Sequence, residues 1–431
     1  MKDLKPLLEK QYQDFYNSSS DIYTYFFALA FNLLKEKGFS AFITSNKYAR
    51  AKYGAKLREL LLKKTTLASY MELNALKVFE SATVDTSIIH FIKQAPLKES
   101  VFKYYEPTPN DKNDLKNTPS LLMKQNALST ESFIFANTTL LDLRDKMENS
   151  GTPLKDWGIQ INYGIKTGCN EAFIIPTEKR DEILKNCDDA QKDERGMSER
   201  ERTIELIKPI LRGKDIKRYS YEWADLWVIN THNGYTSAFK SKIPPIDIEK
   251  YPAIKAHLDS HHDAIITRCD QGDTPYNLRN CTYLEDFEKE KIVYPETSQG
   301  AYFVYENSGI FLEKTAFIMI VSDAYNLKLL TALLNSKLIT LCFKNFCGGC
   351  ILGKSGYQYN KHALEKIPIP QITEKNQELA DKITDCAERI LKSKAKDPKA
   401  NTQELEKEID ALVYQLYNLT DEEIKTIEDG Q

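Results

Sequence analysis

The chain has 431 residues, and nowhere does it approach the roughly 20 consecutive apolar residues that a membrane-spanning helix needs. Its first residues, MKDLKPLLEKQYQDFY, are polar and hold no signal-peptide core. Nor is there an excess of either charge: the formal net charge is -3. A compact protein that coats DNA is strongly basic, so any nucleic-acid face here must be local. The first 100 residues carry 15 Lys/Arg against 10 Asp/Glu, a surplus of +5, which leaves -8 on the remainder. Cysteine is sparse and scattered, at Cys169, Cys187, Cys269, Cys281, Cys342, Cys347, Cys350 and Cys386. This usage fits free thiols in a reducing cytoplasm. Only Cys347-Gly-Gly-Cys350 has ligand spacing. One pair cannot close a tetrahedral zinc site, and no second Cys pair or His pair lies nearby in sequence. It reads as a glycine turn, and no metal is expected. His261-His262 lies in a polar stretch and reads as solvated.

What is present is an ordinary globular composition, 42% hydrophobic and 28% charged, long enough for two or three domains. Ser20-Asp21 can cap a helix from Ile22, and the apolar residues of IYTYFFALAFNLLKEKG recur on a helical period until Gly38. FSAFITSN follows as a buried strand, YGAKLRELLLKK as an amphipathic helix, LASYMELN as a strand, KVFESATVDT as a loop and SIIHFIKQ as a strand. VFKYYEP adds one more strand, at an edge. Helices alternating with apolar strands predict an α/β layer with a parallel or mixed sheet. Turn residues dominate EPTPNDKNDLKNTPS, and TTLLDLRDKMENSG reads as a helix ending at Gly151. Short strands, aromatics and turns fill 151–370, with NCDDAQKDERGMSERER read as a solvated flexible loop. Beyond 370 come two amphipathic helices separated by DPKAN, and a third opened by a Thr-x-x-Glu capping box. Leu405, Ile409, Leu412 and Leu416 form one apolar stripe. It suits packing against the preceding domain, the preferred reading, or a spacer or dimer contact.

Two stretches carry the strongest functional signal. WGIQINYGIKTGCNEAFII, from Trp157, reads as a strand, a turn with Gly164 and Gly168, and a second strand. That pattern sets Lys166, Thr167, Asn170 and Glu171 in the turn. ILRGKDIKRY supplies Arg212, Lys214, Lys217 and Arg218. Basic and amide side chains on glycine-bent loops suit contacts to phosphates and base edges. Lys354, Tyr357 and Tyr359 make a basic-aromatic loop that could also touch DNA, or equally a surface loop with half-buried tyrosines. With KIVYPETS, LLNSKL and YQYNKHALEKIPIP following in order, the region is similar to the specificity domain of TaqI-type N6-adenine DNA methyltransferases and type IIG restriction-modification enzymes.

The N-terminal part extends the resemblance. Asp21, Ile22, Tyr23 and Phe26 match the family's Asp-hydrophobic-Tyr-x-x-Phe helix, and KVFESATVDTSIIHF matches its Val-Phe loop and following strand. The resemblance implies that Phe79 stacks on a target adenine flipped out of the duplex; the plainer alternative is a core aromatic at a strand start. It also implies methyl transfer from S-adenosylmethionine in the complete enzyme. Yet no Gly-x-Gly loop follows a strand, and the one adjacent pair of prolines, Pro244-Pro245, does not precede an aromatic. The family's cofactor loop and Asn-Pro-Pro-Tyr are therefore missing. The sequence begins just past where that motif would stand, and it lacks the nuclease domain of type IIG enzymes. The expected fold is the C-terminal part of a Rossmann-like methyltransferase sheet (1–110), a linker (111–150), a mixed α/β target-recognition domain (151–370) and C-terminal helices (371–431). The expected function is sequence-specific recognition of double-stranded DNA within a modification enzyme. A separate chain could carry the N-terminal catalytic half, and this chain alone should not bind S-adenosylmethionine. The alternatives are a stand-alone specificity subunit and an inactive remnant.

Overall fold

The computed structural model describes residues 4–76, 78–79, 85–135, 138–321, 325–347, 350–352 and 356–429. They form two compact units, one made of 1–145 with 343–355, the other of 146–342 with 356–431. Among the described residues no helix is long and apolar enough to cross a membrane.

The first unit opens with a short helix α1 (Lys5–Gln11), then α2 (Ile22–Leu33), β1 (Phe39–Ser45), α3 (Ala55–Lys64), β2 (Thr66–Glu72), β3 (Thr86–Ile92), β4 (Val101–Tyr105) and β5 (Ser120–Lys124). Asp21 sits at the N-cap of α2, but its side chain makes no cap bond. Instead the Thr24 hydroxyl donates to the Asp21 carbonyl at 2.7 Å, and Ser20 donates to the Tyr53 carbonyl at 2.9 Å. The sheet runs in the order β1-β3-β2-β4-β5. β3 is antiparallel to both β1 and β2, so these two run parallel with α3 between them. β4 was expected at an edge; it lies inside, parallel to β2 and antiparallel to β5. The reason is that Ser120–Lys124, at the end of the turn-rich stretch and within the expected linker, makes a strand of its own. Phe27 of α2 stacks on Phe42 at 4.3 Å, and with Leu57 and Leu61 of α3 it covers Leu67, Tyr70, Ile89 and Phe91. Helix α4 (Thr138–Ser150) spans the boundary between the units.

The second unit holds β6 (Ile159–Tyr163), α5 (Asn170–Phe173), β7 (Ile174–Pro176), β8 (Ile207–Leu211), β9 (Leu226–Ile229), β10 (Lys291–Pro295), β11 (Val304–Glu306), β12 (Phe311–Leu312) and β13 (Ala316–Val321) among shorter pieces. One antiparallel sheet is ordered β11-β10-β13-β6; a second is ordered β12-β8-β9-β7, with β12 parallel to β8. Their inner faces share a core that includes Phe173, Ile210, Leu211, Val228, Val293, Phe311 and Ile318. The charged stretch at 186–202 is not wholly a solvated loop. Ser198 and Glu201 form a capping box for a helix at Glu199–Leu206. Glu199 is 3% exposed and accepts the backbone N–H groups of Asp188 and Ala253.

The last elements are α6 (Gln377–Lys396), α7 (Gln403–Leu416) and α8 (Asp421–Asp429). Ile383, Cys386, Ala387 and Ile390 of α6 are buried, as are Ile409, Val413 and Leu416 of α7, with Leu405 and Leu412 half-buried. The stripe on α7 is thus used in packing within its own unit.

Candidate nucleic-acid interface

The two basic stretches meet on one short segment, Phe311–Ala316. After β6 the chain turns at Gly164, whose N–H donates to the Ala316 carbonyl, and the Ile165 N–H donates to the Leu312 carbonyl at 2.6 Å. A Cβ on Gly164 would stand 2.3 Å from the Glu313 carbonyl oxygen, so the approach requires glycine. From the other side, β8 delivers Arg212 and Gly213. The Gly213 N–H donates to the Thr315 hydroxyl at 2.9 Å, and that hydroxyl donates to Glu313 at 2.5 Å. Glu313 is 3% exposed and also accepts a long 3.5 Å bond from the Asn170 amide. One buried carboxylate therefore ties both loops together.

Within the first loop, Lys166 is half-buried with its ammonium 4.4 Å from the centre of the Tyr163 ring. Thr167 is 1% exposed; its hydroxyl donates to Asn170 Oδ1 at 2.5 Å, so it serves the loop's own shape. Asn170 and Glu171 are exposed, but they lie on α5 rather than in the turn. A single helical turn of four residues has no period to read in the sequence. Arg268, which the sequence reading passed over, is buried under this loop. Its guanidinium donates to the carbonyls of Thr167, Asp270, Pro275 and Asn277 and lies 4.3 Å from the Phe173 ring centre. Burial pushes it down to about 10.

In the second loop the cations divide. Arg212 is held by Asp215 through Nε and Nη2 at 2.9 and 2.8 Å. Arg218 donates to Glu406 of α7 at 2.5 Å and is partly covered there. Both were expected to face a duplex, and both are engaged by carboxylates of the same unit. Lys214 and Lys217 are exposed, and Lys217 Nζ donates to the Lys214 carbonyl at 2.8 Å. Among the described residues no carboxylate lies within ion-pair distance of Lys166, Lys214 or Lys217. Tyr357 sits half-buried in the short strand Gly356–Gln358 and stacks on buried Tyr359 at 5.9 Å; Lys354 lies outside the described residues.

In the first unit Phe79 is 39% exposed, in the loop between β2 and β3, and takes no part in the core of that unit. At the carboxyl ends of β1 and β2 stands a polar cluster that the sequence reading also missed. Asn46 donates to Glu72 and, at 2.8 Å, to Asn74. Glu72 is 3% exposed, and burial raises its carboxyl above the usual range. Residues directly after strand ends are where open α/β sheets gather ligand groups, and that position was the available signal. Among the unit's described glycines, a Cβ on Gly38 would lie 2.7 Å from the Lys35 carbonyl, and on Gly54 2.1 Å from that of Tyr48. Both glycines serve internal backbone contacts. No group of three His, Cys, Asp or Glu suited to a metal occurs among the described residues.

Comparison with known proteins agrees with this architecture. Residues 208–369 match the TaqI-like C-terminal specificity domain, and residues 1–79 match the Eco57I restriction-modification methylase. The Type II methyltransferase M.BstVI of Geobacillus stearothermophilus is 21% identical over 98% of this chain and 71% of its own length. M.PaeR7I of Pseudomonas aeruginosa is 22% identical over 89% of this chain and 64% of its own length. Among solved structures, the Type IIL restriction-modification enzyme MmeI in complex with DNA superposes with a TM-score of 0.62 at 15% identity. That match covers 99% of this chain and 54% of MmeI, so the chain spans between about half and seven-tenths of these relatives. The chain shares the fold of the matched part of this restriction-modification enzyme, matches the TaqI-like C-terminal specificity domain over 208–369, and is similar to the Type II methyltransferases.

Proposed function

We propose that the second unit reads a double-stranded DNA sequence on behalf of an N6-adenine modification enzyme. Lys166, Lys214 and Lys217 would contact phosphates and Asn170 a base edge. The observation that carries this reading is the convergence of both basic loops on Glu313 and Thr315, with these three lysines left unpaired by carboxylates. Phosphate contacts set orientation, while an amide on a fixed helical turn can discriminate bases. Arg212 and Arg218 then act as supports for the loop. In the complete enzyme S-adenosylmethionine supplies the methyl group, a segment or separate chain supplies its cradle, and Phe79 stacks on the extruded adenine. MmeI, whose structure holds DNA, supports the general assignment through its fold.

Fluorescence anisotropy on a duplex library tests this. Affinity should fall steeply with salt, because each neutralised phosphate releases counterions. The Lys214→Ala/Lys217→Ala pair should weaken binding to all sequences alike and reduce the log–log salt slope by about 2. Asn170→Ala should instead flatten preference at one position. Salt-independent binding, or a double variant that binds as well as the parent, would overturn the assignment.

A further inference from the structure

Phe239 is the most exposed large apolar side chain among the described residues, at 93%. It stands at the tip of a hairpin in which Asn233–Thr236 pairs antiparallel with Lys242–Pro245. Hydrogen bonds fix the tip. The Lys240 N–H donates to the Ser237 carbonyl at 2.9 Å, and the Ser237 N–H to the Ser241 carbonyl at 2.8 Å. The Ser241 N–H donates to the Ser237 hydroxyl at 3.2 Å, and the Ala238 N–H to Glu285 at 2.7 Å. Backbone geometry therefore holds the Phe239 ring out in water.

A single exposed apolar residue is ordinary on a protein surface. Phe239 differs in its surroundings. Lys240 and Lys242 follow it, both exposed, and among the described residues neither has a carboxylate within ion-pair distance. Ser241 between them is exposed as well. Ammonium and hydroxyl groups around an aromatic ring suit a polyanion that also presents stacked aromatic surface, a nucleic-acid duplex. A protein hot spot would sit amid apolar neighbours that exclude water.

The foot of the hairpin is tied to the Lys166–Asn170 loop through one segment. Asn233 donates to Asp273 at 3.0 Å and to Asn280 at 2.7 Å, and accepts the Asp273 N–H at 2.8 Å. The Leu278 N–H donates to the Thr231 carbonyl at 2.7 Å. Arg268, at the start of this segment, donates to the carbonyls of both Asn277 and Thr167. Residues 268–280 thus support the hairpin on one side and the Lys166–Asn170 loop on the other.

We propose that Phe239 is a wedge. Lys240 and Lys242 contact phosphates, and the Phe239 ring enters between two base pairs and unstacks that step. This deepens the reading of the second unit as a DNA reader and rests on it. Unstacking is cheapest at flexible pyrimidine–purine steps such as TA and CA. The wedge therefore adds a preference for such a step without any hydrogen bond to a base edge.

The test uses the whole chain and the tightest-binding duplex of the library, labelled at successive positions with a fluorescent base analogue that is dark when stacked and bright when unstacked. The parent should raise the signal several-fold at one pyrimidine–purine step. At saturating protein Phe239→Ala should lose that rise and Phe239→Trp should keep it. Phe239→Ala should also weaken binding by about 10-fold, and its thermal melt should match the parent's, since the side chain is exposed. Replacing the step by a stiff purine–purine step should weaken the parent and leave the alanine variant unaffected. The Lys214→Ala/Lys217→Ala pair should weaken binding yet keep the rise at saturation. No rise on binding, or a rise that survives in Phe239→Ala, would overturn the wedge and leave DNA recognition standing. A parent that binds no duplex removes the recognition reading and the wedge with it. Self-association that Phe239→Ala abolishes, with DNA affinity unchanged, would make the tip a protein contact instead.

Discussion

Arg268 holds a positive charge inside the second unit against four carbonyl oxygens rather than a carboxylate. Nη1 and Nη2 make all four bonds while Nε is buried without a partner, and the site holds because an unpaired buried charge would cost several kcal/mol. The arrangement fixes the Thr167 backbone, and through Thr167 the side chain of Asn170. Arg268→Ala should therefore destabilise the protein by about 3–5 kcal/mol in urea unfolding, orphaning carbonyls from 167, 270, 275 and 277. Arg268→Lys should recover only part, since one ammonium cannot reproduce the planar fork. A loss below ~1 kcal/mol in Arg268→Ala would mean the carbonyls find water. The contrast with Arg212 shows what a sequence reveals at this scale. The partner of Arg212 stands three residues on, at Asp215, and the pairing could have been read. The partners of Arg268 are backbone groups from separate loops, which leave no residue-type signature. Basic residues at 212 and 218 looked available for DNA because their identities were visible and their carboxylates were not weighed.

At the scale of elements, length and period decided what could be read. The 20 residues of α6 and 14 of α7 carry enough apolar repeats to declare themselves, and the Thr420–Glu423 box at the start of α8 closes as the spacing predicts, at 2.7 Å. The four residues of α5 and the five of β5 have no such redundancy: the first were read as a turn passing into a strand, and the second fell within the expected linker. The tail also holds a pH-sensitive contact. Asp410 of α7 accepts the Lys337 backbone N–H at 2.8 Å, and burial pushes its carboxyl up to about 6 from 3.8. The cap bond and the charges of Arg218 and Lys337 pull it back down, while Glu428 adds to the rise. The folded state therefore holds this proton more tightly than the unfolded chain. The stabilisation is full below pH 3.8 and is lost as pH rises through about 6. Asp410→Asn keeps an acceptor for the Lys337 N–H and removes the titration. Relative to the parent, its stability should rise between pH 4 and 7 by about 3 kcal/mol at most. Chemical denaturation at the two pH values measures this, and a difference that does not change with pH would rule the contact out as the source.

At the scale of the whole molecule, the α/β character of the first unit and the mixed sheets of the second were legible because each strand's apolar pattern is local. The free edge of β1 was not, since strand order is a property of pairing between distant segments. Function divides the same way under the proposed reading, in which the recognition loops lie within this chain and the groups that hold S-adenosylmethionine lie elsewhere. Isothermal titration of the chain alone with S-adenosylmethionine should show no binding in the micromolar range, and no methylation should follow. Once the complementary part is supplied and activity appears, Phe79 can be tested as a stacking residue. Phe79→Ala should lower the rate by an amount worth ~1–3 kcal/mol, the usual value of one base-aromatic contact, and Phe79→Trp should be tolerated. A duplex mismatched at the target adenine should partly rescue the alanine variant, because an unpaired base costs less to extrude. At 39% exposure the side chain contributes little to folding, so the melting curve should not move. A lowered melting temperature with equal loss on matched and mismatched duplexes would instead make Phe79 a structural residue, and the extruded base would have to be held by another group.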